Sequence, residues 1–258
     1  MEAYVRSASI GGITTIEFYH PNSNSLPAKV LEELALSIKK AGDDHETTVI
    51  ILRSSSERRT PGKSAPFCAG ASFEELSAIK SEAEGLKFFS GFAHVINAMR
   101  NCPKYIIGRI HGKCVGGGVG LAAAVDYAIA AEGADVKLSE LALGIGPFVV
   151  GPAVERKIGN SAFMQLAIDA TMWRNADWAR RKGLYSELHP DIEGMDESIT
   201  RLANTLVKSS PQAMAELKKV SWSGTDHWDT LLVERAAISG RLVFSEFAKK
   251  AIEALKKG

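Results

Sequence analysis

Gly112-Lys113-Cys114-Val115-Gly116-Gly117-Gly118-Val119-Gly120 places five glycines within nine residues. Before it stands the β-branched run Tyr105 to Ile110, and after it the small apolar stretch Leu121 to Val125. The order is strand, glycine loop, helix. Glycine lets another group approach the main chain closely and tolerates φ > 0. The first amides of a helix are unpaired and lie at the positive end of its dipole. Such a loop is compatible with tight helix–sheet packing, with a phosphate, or with an oxyanion. It is not a nucleoside-triphosphate loop, because no Gly-Lys-Ser/Thr follows. It is not a dinucleotide fingerprint either, because the third glycine after Gly116-x-Gly118 would fall on Leu121.

Working outward, the chain alternates strand and helix signals up to about residue 190. Ile13 to Tyr19 and Thr48 to Leu52 read as strands, and between them Val30, Leu31, Leu34, Leu36 and Ile38 sit close to helical spacing. That order predicts a parallel sheet with crossover helices. Phe73 to Ile79 and Gly85 to Arg100 read as helices, and Tyr127 to Ala131 as another strand. Beyond residue 195 the character changes. Asp196 to Ser209, Pro211 to Val220 and Thr230 to Lys257 read as helices. The expected division is an α/β domain over residues 1–195 and a helical region over 196–258, too small to stand alone and serving packing and oligomerisation.

Composition sets limits. The 258 residues are 45% hydrophobic and 24% charged, and 31 Lys+Arg against 30 Asp+Glu leave a formal charge of +1. That balance argues against a dedicated nucleic-acid or membrane-surface binder. Three well-separated cysteines without a CxxC pair fit reduced thiols better than a disulfide framework or a metal site. MEAYVRSASIGG carries an acid and lacks an apolar core, and no window has the roughly 18 uninterrupted apolar residues of a membrane span. A cytoplasmic protein is expected.

A second small-residue segment, Phe67-Cys68-Ala69-Gly70-Ala71-Ser72, precedes the glycine loop by some forty residues. FCAGASFEEL followed by GKCVGGGVGLAAAVDYAIA strongly resembles the crotonase (enoyl-CoA hydratase/isomerase) superfamily, and the likeness runs from about Ile13 through Glu187. It implies a crotonase-like spiral of ββα units, a thioester substrate, and assembly as a homotrimer or dimer of trimers. It also implies an oxyanion hole formed by the backbone amides of Ala71 and Gly117. Ala69, Gly70, Phe73, Gly116 and Gly118 would border the acyl-CoA path. No metal or redox cofactor is implied. Coenzyme A enters as part of the substrate, with its adenine end near residues 53–66 and the C-terminal helices.

The same resemblance supplies the acid–base group. Hydratases of the family carry two glutamates twenty residues apart. Here the second position is Glu140, in SELALG, and the first is Gly120, which cannot transfer a proton. Flanking Val136, Leu138, Leu141 and Leu143 suggest partial burial of Glu140, which raises a carboxyl pKa toward that of a useful base. One base suffices to move a double bond, whereas hydration also needs an oriented water. The family's water-orienting backbone position falls on Phe148, and GIGPF is similar to a segment of single-glutamate enoyl-CoA isomerases. Isomerisation is therefore the favoured chemistry. Its rivals are a 2-enoyl-CoA hydratase (including the methylglutaconyl type), another crotonase decarboxylase or dehydratase, and a non-catalytic acyl-CoA-binding subunit.

Other residues read less sharply. Asp126 matches a family aspartate and is more often structural. Ser72 replaces an aspartate, and Glu74 and Glu75 could face the pocket but better suit a solvated first helical turn. His111 fits a core hydrogen bond or a group titrating near the site. Cys68 and Cys114 suit small buried positions. Trp173, Trp178 and Tyr185 suit packing, and Phe148, Val149, Val150 and Phe163 could wall the acyl pocket.

Overall fold

The computed structural model describes residues 2–56 and 65–257. Two strands, β1 (Tyr4–Ile10) and β2 (Ile13–Tyr19), form an antiparallel hairpin that turns through Gly11 and Gly12. From β2 onward every neighbour in the main sheet is parallel: β3 (Val49–Ser54), β4 (Tyr105–Ile110), β6 (Tyr127–Ala131) and β8 (Glu187–His189). The crossovers carry α1 (Ala28–Asp43), α2 (Phe73–Ala78), α3 (Glu82–Asn101) and α4 (Gly117–Ala124). Strands β5 (Cys114–Val115) and β7 (Val136–Lys137) form a separate parallel pair. This is the expected α/β class.

Side chains alternate across the sheet as the strand repeat requires. Ile16, Phe18, Ile50, Leu52, Ile106, Ile110, Ala128 and Ala130 face the larger core, with buried residues of α1, α3 and α4. Val49, Ile107 and Ile129 face the other way, against Met195, Ile199 and Ala203 of α7 (Ile192–Val207). The boundary expected between residues 195 and 196 thus falls inside a helix that closes one face of the sheet.

Each ββα turn also contributes to a second, narrower layer. Leu26 bridges Ala71, Cys68 bridges Cys114, Cys114 pairs with Val136, and Val136 bridges Arg174. Main-chain bonds hold the row together. Leu26 N donates to Gly70 O (2.8 Å), Val115 N to Cys68 O (2.9 Å), Gly116 N to Lys137 O (2.9 Å) and Val136 N to Arg174 O (2.8 Å). The row therefore joins both small-residue segments to the strand that leads into Glu140.

The remaining elements are a 3-10 turn at Leu141–Leu143, α5 (Gly151–Ile168), α6 (Ala176–Arg181), α8 (Pro211–Ser221), α9 (Trp228–Leu242) and α10 (Glu246–Lys257). Helix α5 kinks at Gly159, whose φ of 75° and ψ of 158° are not helical. Helices α3 and α9 meet backbone to backbone: a Cβ on Gly85 would lie 2.9 Å from Gly240 Cα. The single helix expected over Thr230–Lys257 is two. Ser245 Oγ accepts from Ala248 N (3.1 Å) and Glu246 occupies the first turn, so a cap restarts the helix there. The helix expected from Leu121 begins at Gly117. Low glycine propensity obscured that start, but all eight residues of α4 are buried, and packing overrides propensity.

Candidate active site

Gly116 ends β5 with φ 52° and ψ −115°, a conformation that costs an L-residue strain and glycine almost none. The reversal starts α4 at Gly117, so the glycine run lies partly inside the helix rather than wholly before it. Its later glycines are packing positions. A Cβ on Gly117 would collide with the Phe92 ring, and one on Gly118 would lie 2.5 Å from Cys68 O. On Gly120 it would lie 2.5 Å from Val150 Cγ1.

Among the described residues, the amides of Ala71 and Gly117 donate to no backbone or side-chain acceptor, whereas those of Gly70, Ser72 and Gly116 do. Ser72 N bonds to Leu26 O and Gly116 N to Lys137 O. The two loops are close together: a Cβ on Gly70 would lie 3.0 Å from Val115 O and 3.7 Å from Gly117 N. Gly117 is the first residue of α4, so its free N–H stands at the positive end of the helix.

Glu140 arrives from β7 and begins the 3-10 turn, its carbonyl accepting from Leu143 N (3.1 Å) and Ile145 N (3.0 Å). Its carboxyl lies against Gly116, where a Cβ would stand 2.9 Å from Oε1. The residue is part-exposed as a whole, but Oε2 is sealed from solvent and has no hydrogen-bond partner. Burial pushes its pKa up to about 7, with its own main-chain amide pulling weakly the other way.

These groups share one cavity of about 230 Å³. Ala69, Gly70, Ala71, Phe73, Gly116, Gly117, Glu140 and Phe148 all line it, whereas Gly118 does not. Val149 and Val150 line it too, with Val150 filling the space beside Gly120. Glu140 is the one titratable side chain on the described wall, which is otherwise apolar apart from Ser139 and Ser239. A carboxyl balanced near neutrality beside two unpaired amides can exchange a proton with a carbon acid whose carbonyl oxygen those amides hold.

Residues 9–254 match the family model described as enoyl-CoA hydratase/isomerase. The chain belongs to that family. Its relatives in the enoyl-CoA hydratase/isomerase family include a Bacillus subtilis (strain 168) protein named "Probable enoyl-CoA hydratase", 29% identical over 244 residues, which are 94% of this chain and 91% of the relative. Carnitinyl-CoA dehydratase of Escherichia coli (strain K12) is 27% identical over 252 residues, 92% of this chain and 93% of the relative. In fold, the chain superposes on a solved enoyl-CoA hydratase from Bacillus halodurans with a TM-score of 0.86 at 22% identity, covering 97% of this chain and 99% of that one. For one from Mycobacterium avium the TM-score is 0.83 at 23% identity, with 100% and 97% covered. The crotonase architecture and an enzyme of the hydratase/isomerase type follow.

The other candidate residues of this family member lie off the cavity or play structural parts. Asp126 accepts from Ile106 N (2.8 Å), Lys218 Nζ (2.7 Å) and Trp222 Nε1 (3.2 Å), tying β4 and β6 to α8. Ser72 caps α2 by accepting from Glu75 N (3.3 Å), and Glu75 Oε2 in turn accepts from Ala28 N (2.8 Å) at the start of α1. His111 is buried, and burial and the nearby Arg109 guanidinium lower its pKa to about 4, so it is neutral. Burial pushes the Cys68 thiol up to about 12 and raises that of Cys114 further, leaving both unreactive. Trp173 sits between Lys113 and Lys137, their ammonium groups 4.6 and 4.7 Å from its ring centre. Tyr185 is buried and donates to Ala134 O (2.8 Å), while Trp178 packs against the main core.

Sequence reasoning missed several cavity walls. Phe88, Phe89 and Phe92 come from α3, where helical periodicity shows amphipathicity but not which cavity it borders. Ser239 of α9 and Leu255 of α10 carry no local signal at all. The reading that places the adenine end of coenzyme A at residues 53–66 falls largely on 57–64, outside the described residues. Among the described residues no helix is long and apolar enough to cross a membrane, and no three His, Cys, Asp or Glu side chains gather as a metal site.

Proposed function

We propose that this protein isomerises enoyl-CoA thioesters, moving a double bond between the 3 and 2 positions with Glu140 as the single proton carrier. The amides of Ala71 and Gly117 donate to the thioester oxygen. The Glu140 carboxylate removes a proton from C2, and the electron pair delocalises through the C3–C4 unit as a dienolate held by the two amides. The protonated carboxyl then returns the proton at C4, leaving the double bond at C2–C3. Removing one comparable donor raises a barrier by about 3–4 kcal/mol. A pKa near 7 suits a group that must both accept and donate within one turnover.

The observation that supports one base over two is the wall itself. Glu140 is the only carboxyl among the described lining residues, and beside Gly120 the space is filled by the Val150 side chain. Among the described residues no second carboxyl stands there to orient a water. Coenzyme A belongs to the substrate in this reading and no separate cofactor takes part; a homotrimer or dimer of trimers is the proposed assembly.

Hydration or dehydration is the second reading, favoured by the names of the relatives. It would hold its water with the Phe148 main chain or with Ser139 or Ser239, all of which line the cavity. Incubation with 3-enoyl and 2-enoyl thioesters in D₂O, followed by mass and NMR analysis, separates the two. Double-bond migration with deuterium at C2 or C4 and no added water supports isomerisation. A 3-hydroxyacyl product carrying solvent oxygen refutes it in favour of hydration.

A further inference from the structure

Beside the candidate active site lies a second cavity of about 300 Å³, bounded on α5 by Phe163, Met164, Ala167 and Ile168. The two cavities share one wall, because Gly146, Pro147 and Phe148 line both. Of the three, only Phe148 has a side chain large enough to close a passage. Its ring is seated on Gly146, whose φ is 80° and where a Cβ would lie 2.7 Å from Phe148 Cε2. A residue other than glycine at that point would push the ring out of its seat.

Volumes show what the partition does. Small-molecule cavities commonly enclose about 300–1,000 Å³, and the first cavity falls short of that by itself. The second would more than double the space open to an acyl chain. Its wall is apolar apart from Glu155 of α5 and Arg235 of α9. An alkyl chain is therefore the chemistry it would admit most readily.

We infer that the Phe148 ring sets acyl-chain length: in place, it confines the thioester to short acyl groups, and the second cavity is the room it withholds. The inference rests on the acyl-CoA reading above. With the ring removed, a long alkyl tail passes from beside Glu140 into the space against Met164 and Ile168.

The test compares kcat/KM for four-carbon and twelve-carbon enoyl thioesters in the wild type, Phe148→Ala and Phe148→Leu. The ratio of long to short should rise about tenfold or more in the alanine variant, and by less, in the same direction, in the leucine variant. Adding Met164→Trp, a substitution at an exposed position, should bring the ratio back toward the wild-type value by filling the second cavity. Calorimetric titration with butyryl-CoA and dodecanoyl-CoA, which cannot react, reads the same preference from binding alone. An unchanged ratio in both Phe148 variants, with short thioesters still turned over or bound, overturns the inference and leaves the acyl-CoA reading standing. Failure of the wild type to bind or convert any acyl thioester overturns that reading instead.

Discussion

Replacing Glu140 by glutamine should make the protein more stable as pH rises while abolishing turnover. A carboxyl that ionises at about 7 when folded and near its ordinary 4.5 when unfolded is harder to ionise in the native state. Below about pH 4.5 it is protonated in both states and contributes nothing to the pH dependence. Between 4.5 and 7 the unfolded chain has lost the proton and the native chain has kept it, so stability falls as pH rises. Above 7 the full penalty is present. At about 1.4 kcal/mol per tenfold difference in acidity, and allowing for the partial exposure of the residue, it comes to about 2–3 kcal/mol. Glutamine keeps the shape and cannot ionise, and any cost of its own buried amide does not depend on pH. The difference in stability between the variant and the wild type should therefore grow by about 2–3 kcal/mol from pH 4.5 to pH 8. In thermal melts that is roughly 4–12 °C, taking about 2–4 °C per kcal/mol for a chain near this size. Melting both proteins across that range at constant ionic strength measures it directly. A difference that stays flat with pH would refute the desolvation argument and remove the physical basis for Glu140 as a base poised near neutrality.

Other outcomes follow from the same geometry. The acid limb of kcat/KM should have an apparent pKa of about 7, falling tenfold per pH unit below it, because the free enzyme needs the carboxylate; a limb near 4.5 would show an ordinary carboxyl. Gly120→Ala should cost about 1–3 kcal/mol, since its Cβ meets Val150 Cγ1 at 2.5 Å. Urea denaturation of Gly120→Ala with Val150→Ala should show less destabilisation than the two singles added; strict additivity would mean the two side chains do not compete for that space. Lys218→Met removes the cation hydrogen-bonded to the Asp126 carboxylate, in a pair whose side chains are only 3% and 10% exposed, and should cost about 3–5 kcal/mol by urea denaturation. A loss under 1 kcal/mol would show that the Ile106 amide and Trp222 indole suffice for that carboxylate.

How much was legible in the sequence varied with the range of the interaction. Ile13–Tyr19, Tyr105–Ile110 and Tyr127–Ala131 could be bounded to the residue because each is rich in apolar and β-branched residues and largely buried on both faces of the sheet. Strand β1 escaped because YVRSASI is an edge strand with mostly exposed residues, and β5 and β7 because two residues carry no periodicity. Partial burial of Glu140 was expected from its apolar neighbours. Leu141 is in fact 48% exposed, and the carboxyl is covered through its approach to Gly116, a contact twenty-four positions away that no local pattern contains. The cavity walls from α3, α9 and α10 were beyond reach for the same reason: which face of a helix borders a pocket is decided by partners distant in the chain.

The narrow second layer divides the site into parts that differ in how far mutation can alter them. Both free amides sit in segments aligned by main-chain bonds, from Leu26 through Cys68 and Cys114 to Val136 and Arg174. An amide belongs to every residue but proline, so changing a side chain there leaves the donor in being. Glu140, Val150 and Phe148 stand around that fixed pair as ordinary replaceable side chains. On the proposed mechanism, a lineage built on this layer exchanges its acid, its water-excluding wall or its acyl limit one residue at a time, without re-inventing the device that would grip a carbonyl oxygen.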